Sequence, residues 1–179
     1  MDSLDINAIR SVLSQLKQIM DDHRDRLLEL DRALGDGDLG LTMTKAFTAA
    51  HETASTSEET LPGKLLMLVG MAMAKAAPST MGTLLATGFM RGGKAIGEEE
   101  RLRVEELAAF FRAFTEGIME RGKTQPGNKT VVDSLQPAAA AVEQAAAQGK
   151  DIREALTEAV TAAQQGNEAA RMMKSQHGK

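Results

Sequence analysis

Asp31, Asp36 and Asp38 are the side chains of this sequence best placed to do chemistry together, and Gly35, Gly37 and Gly40 space them along the stretch Asp31-Arg-Ala-Leu-Gly-Asp-Gly-Asp-Leu-Gly40. Glycine accepts positive φ angles, so a backbone rich in it can fold back and aim neighbouring carboxylates at one point. Carboxylates with no His or Cys beside them suit a hard cation such as Mg²⁺, which takes one or two of them and fills its other positions with waters and phosphate oxygens. Three acids alone would repel a phosphate. With one or two divalent ions between them the sign of the site inverts, and a nucleotide becomes a fitting ligand. The competing reading is a solvated acidic turn after a helix, and spacing alone does not choose between the two.

Two other loops carry groups that could contact a ligand. Ala77-Pro78-Ser79-Thr80-Met81-Gly82 supplies hydroxyls and freely placed backbone N–H groups ahead of a helix whose N-terminal amides could meet an anion. A plain helix-helix turn with Ser79 or Thr80 as the N-cap explains the same residues. The third loop runs from Lys123 to Thr130 after Arg121-Gly122. There Thr130 and Asp133 have the spacing of a capping box, with Asp in place of Glu. Pro137 falls inside the helix that should follow, which predicts a bend or a later start.

The elements that must hold these loops read as all-α, because β-branched and aromatic runs at strand spacing are missing. The apolar residues Ile9, Val12, Leu13, Leu16, Ile19, Met20, Leu27 and Leu30, with His23 among them, fall on one face of a long first helix capped by Asp5. His23 on that face reads as a half-buried packing residue rather than a ligand. A second helix opens after Gly40 and runs toward residue 54. The third, from Leu65 to Ala76 with Pro62 near its start, is apolar over most of its circumference and is expected to be central and buried. Further helices are expected from Thr83 to Ala95, from Leu102 to Gly122, through the Ala-rich segment to Ala147, and from the cap at Asp151 to about Met173 with a kink near Gly166. That makes about seven helices.

Composition narrows the function classes. The 179 residues suit one domain with its own core, and no cysteine is present, so disulfides, thiolate metal sites and cysteine nucleophiles are excluded. A net charge of −4, no Trp or Tyr and five Phe argue against a nucleic-acid partner. The N-terminus is acidic where a secretion signal would be basic, and no apolar run approaches the ~18 to 20 residues of a membrane span, so a cytoplasmic protein without membrane contact is expected. Eleven Met and many Ala suit helices packed closely through small residues, with Met filling the gaps.

Short connections force successive helices to run antiparallel. The loops around Asp31 to Gly40, Pro78 to Gly82 and Gly122 to Thr130, with the tail after the last helix, should therefore share one end of the bundle. The connections near residues 57, 98 and 149 are merely polar and belong to the other end. Every loop with chemical potential thus falls at the same rim.

With those residues in view, the chain resembles the L subunit, the nucleotide-binding subunit, of dihydroxyacetone kinases. The resemblance rests on Leu30-Asp31 followed by Gly35-Asp-Gly-Asp38-x-Gly40, on the Ser-containing loop after the third helix, and on Gly127-Asn-Lys-Thr130-Val-Val-Asp133-Ser-Leu-x-Pro137-Ala. It implies an antiparallel up-and-down barrel of eight helices, with the last helix and a lid segment falling beyond Lys179. The whole of residues 1–179 would be a single nucleotide-binding domain of L type, truncated or disordered after Lys179. Two Mg²⁺ would be held by Asp31, Asp36 and Asp38, with ADP or ATP at the same end. Leu39, Gly40, Leu41 and Thr42, with Ser79 and Thr80, would contact phosphates. Gly122 and Val131 would border the nucleotide, and Lys179 would stand where the family has an Arg that grips it. The family commonly has His at the position of Leu39 and Asn at that of Thr42, so Leu39 can offer only its backbone while Thr42 keeps a hydroxyl.

The implied activity is phosphoryl transfer to a hydroxyl of dihydroxyacetone or a related short ketose, without a catalytic side chain from this chain. The substrate would be carried by a separate K-type subunit. The phosphate would come from free ATP or from a phosphotransferase-system phosphocarrier protein, and a homodimer is compatible with either. An ADP- and Mg²⁺-sensing regulator that docks on a partner without turnover is the alternative function, and a plain helical scaffold with a weakly cation-binding loop is a third.

Overall fold

The computed structural model describes residues 2–33 and 35–176. Among these there is no strand. The chain forms α1 (Ile6–Asp22), α2 (Arg24–Arg32), α3 (Leu39–Thr56), α4 (Pro62–Ala76), α5 (Thr80–Ile96), α6 (Val104–Gly122), α7 (Val132–Ala147) and α8 (Ile152–Ala170). From α3 onward each helix packs on the next in sequence, and α1 and α2 both pack on α3, as an up-and-down bundle with short connections requires. An isolated backbone bridge between Leu4 and Leu102 ties the N-terminal segment to the chain ahead of α6. No described helix is long and apolar enough to cross a membrane.

The count of eight, against about seven expected, comes from the first helix dividing at His23. Its backbone leaves helical geometry at φ −99° and ψ 4°, and its N–H still reaches Ile19. The expected apolar face is only partly buried even ahead of this break, with Val12 and Ile19 of α1 43% and 45% exposed. Ile9 and Leu13 are buried as expected, but beyond His23 it is Leu28 that turns inward, while Leu30 is 52% exposed. His23 itself is exposed, so it does not pack as the sequence pattern suggested.

The core consists of two contiguous clusters. One runs through α1, α3, α4, α5 and α6 and contains Leu13, Ala46, Phe47, Leu65, Val69, Met73, Phe89, Phe114 and Ile118. The other joins α6, α7 and α8 through Leu107, Val142, Ile152 and Ala155. Phe47, Phe89, Phe110, Phe111 and Phe114 form a chain of edge-on and tilted ring contacts, so all of the aromatic content serves packing. Helix α4 is less enclosed than its composition suggests. Leu65, Leu66, Val69 and Met73 are buried, while Met71 on the opposite side is half exposed.

Caps set the boundaries. The Asp5 carboxylate accepts the Ala8 N–H at 2.9 Å, and Asp151 with Glu154 forms a complete capping box at the start of α8. Pro62 occupies the first turn of α4, where a missing N–H costs nothing. Pro137 lies inside an uninterrupted α7, neither delaying its start nor ending it. Gly166 of α8 packs against this turn. A side chain there would collide with the Asp133 carbonyl, the very group left without its N–H donor by Pro137, so α8 approaches α7 closely at that point and runs on without a break.

Candidate functional site

The acidic stretch closes into a compact turn between α2 and α3. One oxygen from each of Asp31, Asp36 and Asp38 can be chosen so that all three lie within 4.8 Å of one another. Asp31 is partly buried and the other two are exposed. The turn is held from inside. Asp31 Oδ2 accepts the N–H groups of Asp38 at 2.8 Å and Leu39 at 3.1 Å, which makes it the acceptor for the otherwise orphaned amides at the start of α3. Gly37 takes φ +76°, a conformation that disfavours any side chain, and a Cβ on Gly40 would strike the Arg24 carbonyl, so α2 and α3 meet backbone to backbone just behind the carboxylates. Three convergent carboxylates, with no nitrogen or sulfur ligand, match the donor set that Mg²⁺ takes.

The other loops arrive at the same end. Leu27 of α2, Leu39 and Met43 of α3, Met81 and Leu85 of α5, and Val131 surround a pocket of about 570 Å³ whose wall is mainly apolar. Lys129, Thr130 and Arg171 add polar groups to its edge. A second hollow of about 510 Å³ lies between Pro78, Ser79 and Thr80 on one side and Arg121 and Gly122 on the other. Ser79 does cap α5, its Oγ accepting the Gly82 N–H at 3.1 Å, and the helix begins at Thr80, a turn before the sequence suggested.

The expected contact residues divide between these two cavities and the helix behind them. Leu39 and Val131 line the apolar pocket, and Ser79, Thr80 and Gly122 line the neighbouring hollow. Gly40 is buried against α2, and Thr42 is 7% exposed, one turn into the helix. Leu41 is 41% exposed and turned to solvent. Lys179 lies outside the described residues.

The third loop is wound around two side chains. Asp133 accepts the Gly127 N–H at 2.6 Å and the Thr130 N–H at 2.7 Å, and the Asn128 Oδ1 accepts the Gln125 N–H at 3.0 Å. Lys123, Gly127 and Lys129 all have positive φ. Only half of the capping box expected of Thr130 and Asp133 forms: the Asp133 carboxylate accepts the Thr130 N–H, but the Thr130 hydroxyl accepts the Val132 N–H at 3.2 Å, the Asp133 N–H goes to the Thr130 carbonyl, and α7 starts one residue later with Val131 at its N-cap. Lys129 Nζ donates to the Arg171 carbonyl at 3.1 Å, and the Gln176 N–H to the Asn128 carbonyl at 3.2 Å, so the segment after α8 is moored to this loop. Sequence reasoning did not find Leu85 or Arg171 at the rim. Both fell inside expected helices with no motif around them, whereas Met81 belonged to the second loop.

An all-α up-and-down barrel with a carboxylate cluster and an apolar pocket at one rim is the class that this geometry defines. Among solved structures, the dihydroxyacetone kinase from C. freundii in complex with AMP-PNP and Mg²⁺ shares the fold, with a TM-score of 0.73 over 98% of this chain and 30% of that one, at 22% identity. Residues 33–179 match the DAK2 domain, and the chain belongs to that family. Its relatives include the ADP-binding subunit DhaL of the PEP-dependent dihydroxyacetone kinase of Escherichia coli, 29% identical over 99% of this chain and 84% of that protein. The L-erythrulose kinase of Pectobacterium atrosepticum is 30% identical over 89% of this chain, which spans only 27% of that longer protein.

Proposed function

We propose that this chain is the nucleotide-binding subunit of a kinase for dihydroxyacetone or a related short ketose. In this reading Asp31, Asp36 and Asp38 hold two Mg²⁺, and ADP or ATP lies across the rim. The observation that carries it is the convergence of three carboxylate oxygens within 4.8 Å beside a pocket large enough for part of a nucleotide. The relatives named as ADP-binding subunits and as ketose kinases supply the substrate class.

Bound there, the divalent ions would offset phosphate charge and orient the transferring group. The chain's own residues then have positioning roles. Asp31 has one oxygen committed to the Asp38 and Leu39 amides and the other free for a cation, which fixes the carboxylate before any ligand arrives. Leu39 gives its side chain to the apolar pocket, so on this face phosphates would meet backbone amides and hydroxyls rather than a ring nitrogen. Ser79, Thr80 and Gly122 border the hollow next to it. In this reading no side chain of this chain bonds covalently to the phosphoryl group, and the ketose would be presented by a separate K-type subunit. The phosphate would reach the site as free ATP or through a phosphocarrier protein.

Calorimetry with ADP in the presence and absence of Mg²⁺ tests the reading. Parent protein should bind ADP in a Mg²⁺-dependent manner, and Asp36→Asn should abolish binding while leaving the helical circular dichroism intact. Metal-independent binding, or a mutant that binds like the parent, would sink the assignment. Phosphorylation of dihydroxyacetone or erythrulose only when a K-type subunit is added separates a kinase subunit from a nucleotide-sensing regulator, which would yield no product under either condition.

A further inference from the structure

The nucleotide reading uses Gly122 and Val131 as borders of the site, and these residues are the two feet of a single loop. What sets the distance between them is how that loop is folded. Its course is improbable for a free chain, since Lys123 (φ 49°), Gly127 (φ 92°) and Lys129 (φ 58°) all lie in the left-handed region within one short connection. Asp133 opposes that tendency. It is the one charged side chain buried among the described residues, at 6% exposure, and it uses both oxygens on the loop, one for Gly127 and one for Thr130. The same residue is fixed from the other side by the close packing of its carbonyl against Gly166 in α8.

We infer that Asp133 is a positioning residue of the nucleotide site, a buried carboxylate that clamps the loop between Gly122 and Val131 and so fixes the edge against which the nucleoside part of the ligand lies. This rests on the nucleotide reading above. Asp133 does not line either rim pocket, and it lies outside the Asp31, Asp36 and Asp38 cluster. It therefore touches neither ligand nor metal. A carboxylate is required because two N–H donors converge on it. An amide of the same shape can accept one and must turn its own NH₂ toward the other.

The test compares three probes on the folded protein: Mn²⁺ alone by electron paramagnetic resonance, Mg²⁺-pyrophosphate, and Mg²⁺-ADP by calorimetry. Asp133→Asn should bind Mn²⁺ and pyrophosphate within about twofold of the parent, and ADP at least tenfold more weakly, because only the nucleoside needs the loop edge. A variant that keeps the parent's helical circular dichroism yet weakens all three together overturns the inference, as does unchanged ADP affinity. Should Asp133→Asn fail to fold, Gly127→Ala takes its place. A Cβ there meets nothing within 4 Å but strains φ at one of the two anchored amides, so ADP should again weaken selectively. A parent that binds neither Mn²⁺ nor ADP refutes the nucleotide reading and this inference with it. A parent that binds both, with variants indistinguishable from it, refutes the inference alone.

Discussion

Asp31 has two tasks that substitution can separate. As acceptor for the first amides of α3 it acts like an N-cap, and as a carboxylate it belongs to the cation cluster. Asn caps helices about as well as Asp, so Asp31→Asn should leave the urea midpoint in metal-free buffer nearly unchanged while weakening Mn²⁺ binding. Asp31→Ala should lose both, at about 1 kcal/mol of stability. Equal destabilisation by the two variants would show that the oxygen at the amides is unimportant. Acidic pH offers a second check on local carboxylates. Glu59 accepts the Leu61 and Thr60 N–H groups, and Asp151 that of Glu154, and these bonds hold both carboxyls below their ordinary values. A depressed folded pKa means the unfolded state takes up its proton first as pH falls. Their contribution is complete above the ordinary carboxylate range and is lost as pH drops through the lower folded values. Glu59→Gln should therefore flatten the acid limb of a stability profile without changing the response to ADP.

At the scale of elements, the pairing of Pro137 with Gly166 carries a sharp expectation. Gly166→Ala would improve intrinsic helix propensity, yet its Cβ would enter the space of the Asp133 carbonyl, a backbone atom with little freedom to retreat. Overpacking of this kind costs about 1 to 3 kcal/mol, more than the propensity gain, so the variant should unfold at lower urea. Stabilisation would mean that α7 and α8 can separate without penalty. The same pair shows where sequence reading stops. Helix positions, the Asp5 and Asp151 caps and the Pro62 start were legible because they depend on neighbours in the chain. The seamless passage of α7 through Pro137 was not, because a proline inside a helix ordinarily bends or ends it, and the close approach of α8 at Gly166 depends on residues distant in the chain. The division at His23 was hidden for a related reason. The apolar repeat continues across it, and nothing in the residue types marks the point where Leu28 rather than Leu30 becomes the buried residue. Of the rim residues, the aspartates were found through glycine spacing and Met81 fell within the second loop, while Leu85 and Arg171 became visible only when separate loops were seen to converge.

For the whole molecule, ligand binding should appear as stability. A ligand present at 100 times its dissociation constant adds about 2.7 kcal/mol to a protein that binds it only when folded. The unfolding midpoint should therefore rise with ADP and Mg²⁺ together, rise less with either alone, and fail to rise for Asp36→Asn. An equal response from the mutant would place the effect elsewhere on the surface. The convergence of the loops at one end, expected from helix parity, is what makes a single ligand able to exert this global effect, since it would bridge α2, α3, α5 and the α6–α7 connection at once.

The ring of helices also has two edges. Helix α8 has α7 as its one substantial helical neighbour among the described residues, and α1 leans chiefly on α3. Leu27, in the first turn of α2, and Asn167, Ala170 and Arg171, at the end of α8, line the mouth of the apolar pocket. Staves gripped on a single flank are the ones that breathe, so the aperture's girth depends on the least constrained parts of the barrel. Amide exchange in α2 and the last turns of α8 should outpace that of α4 and α5 in the empty protein, and should slow first when the mouth is filled.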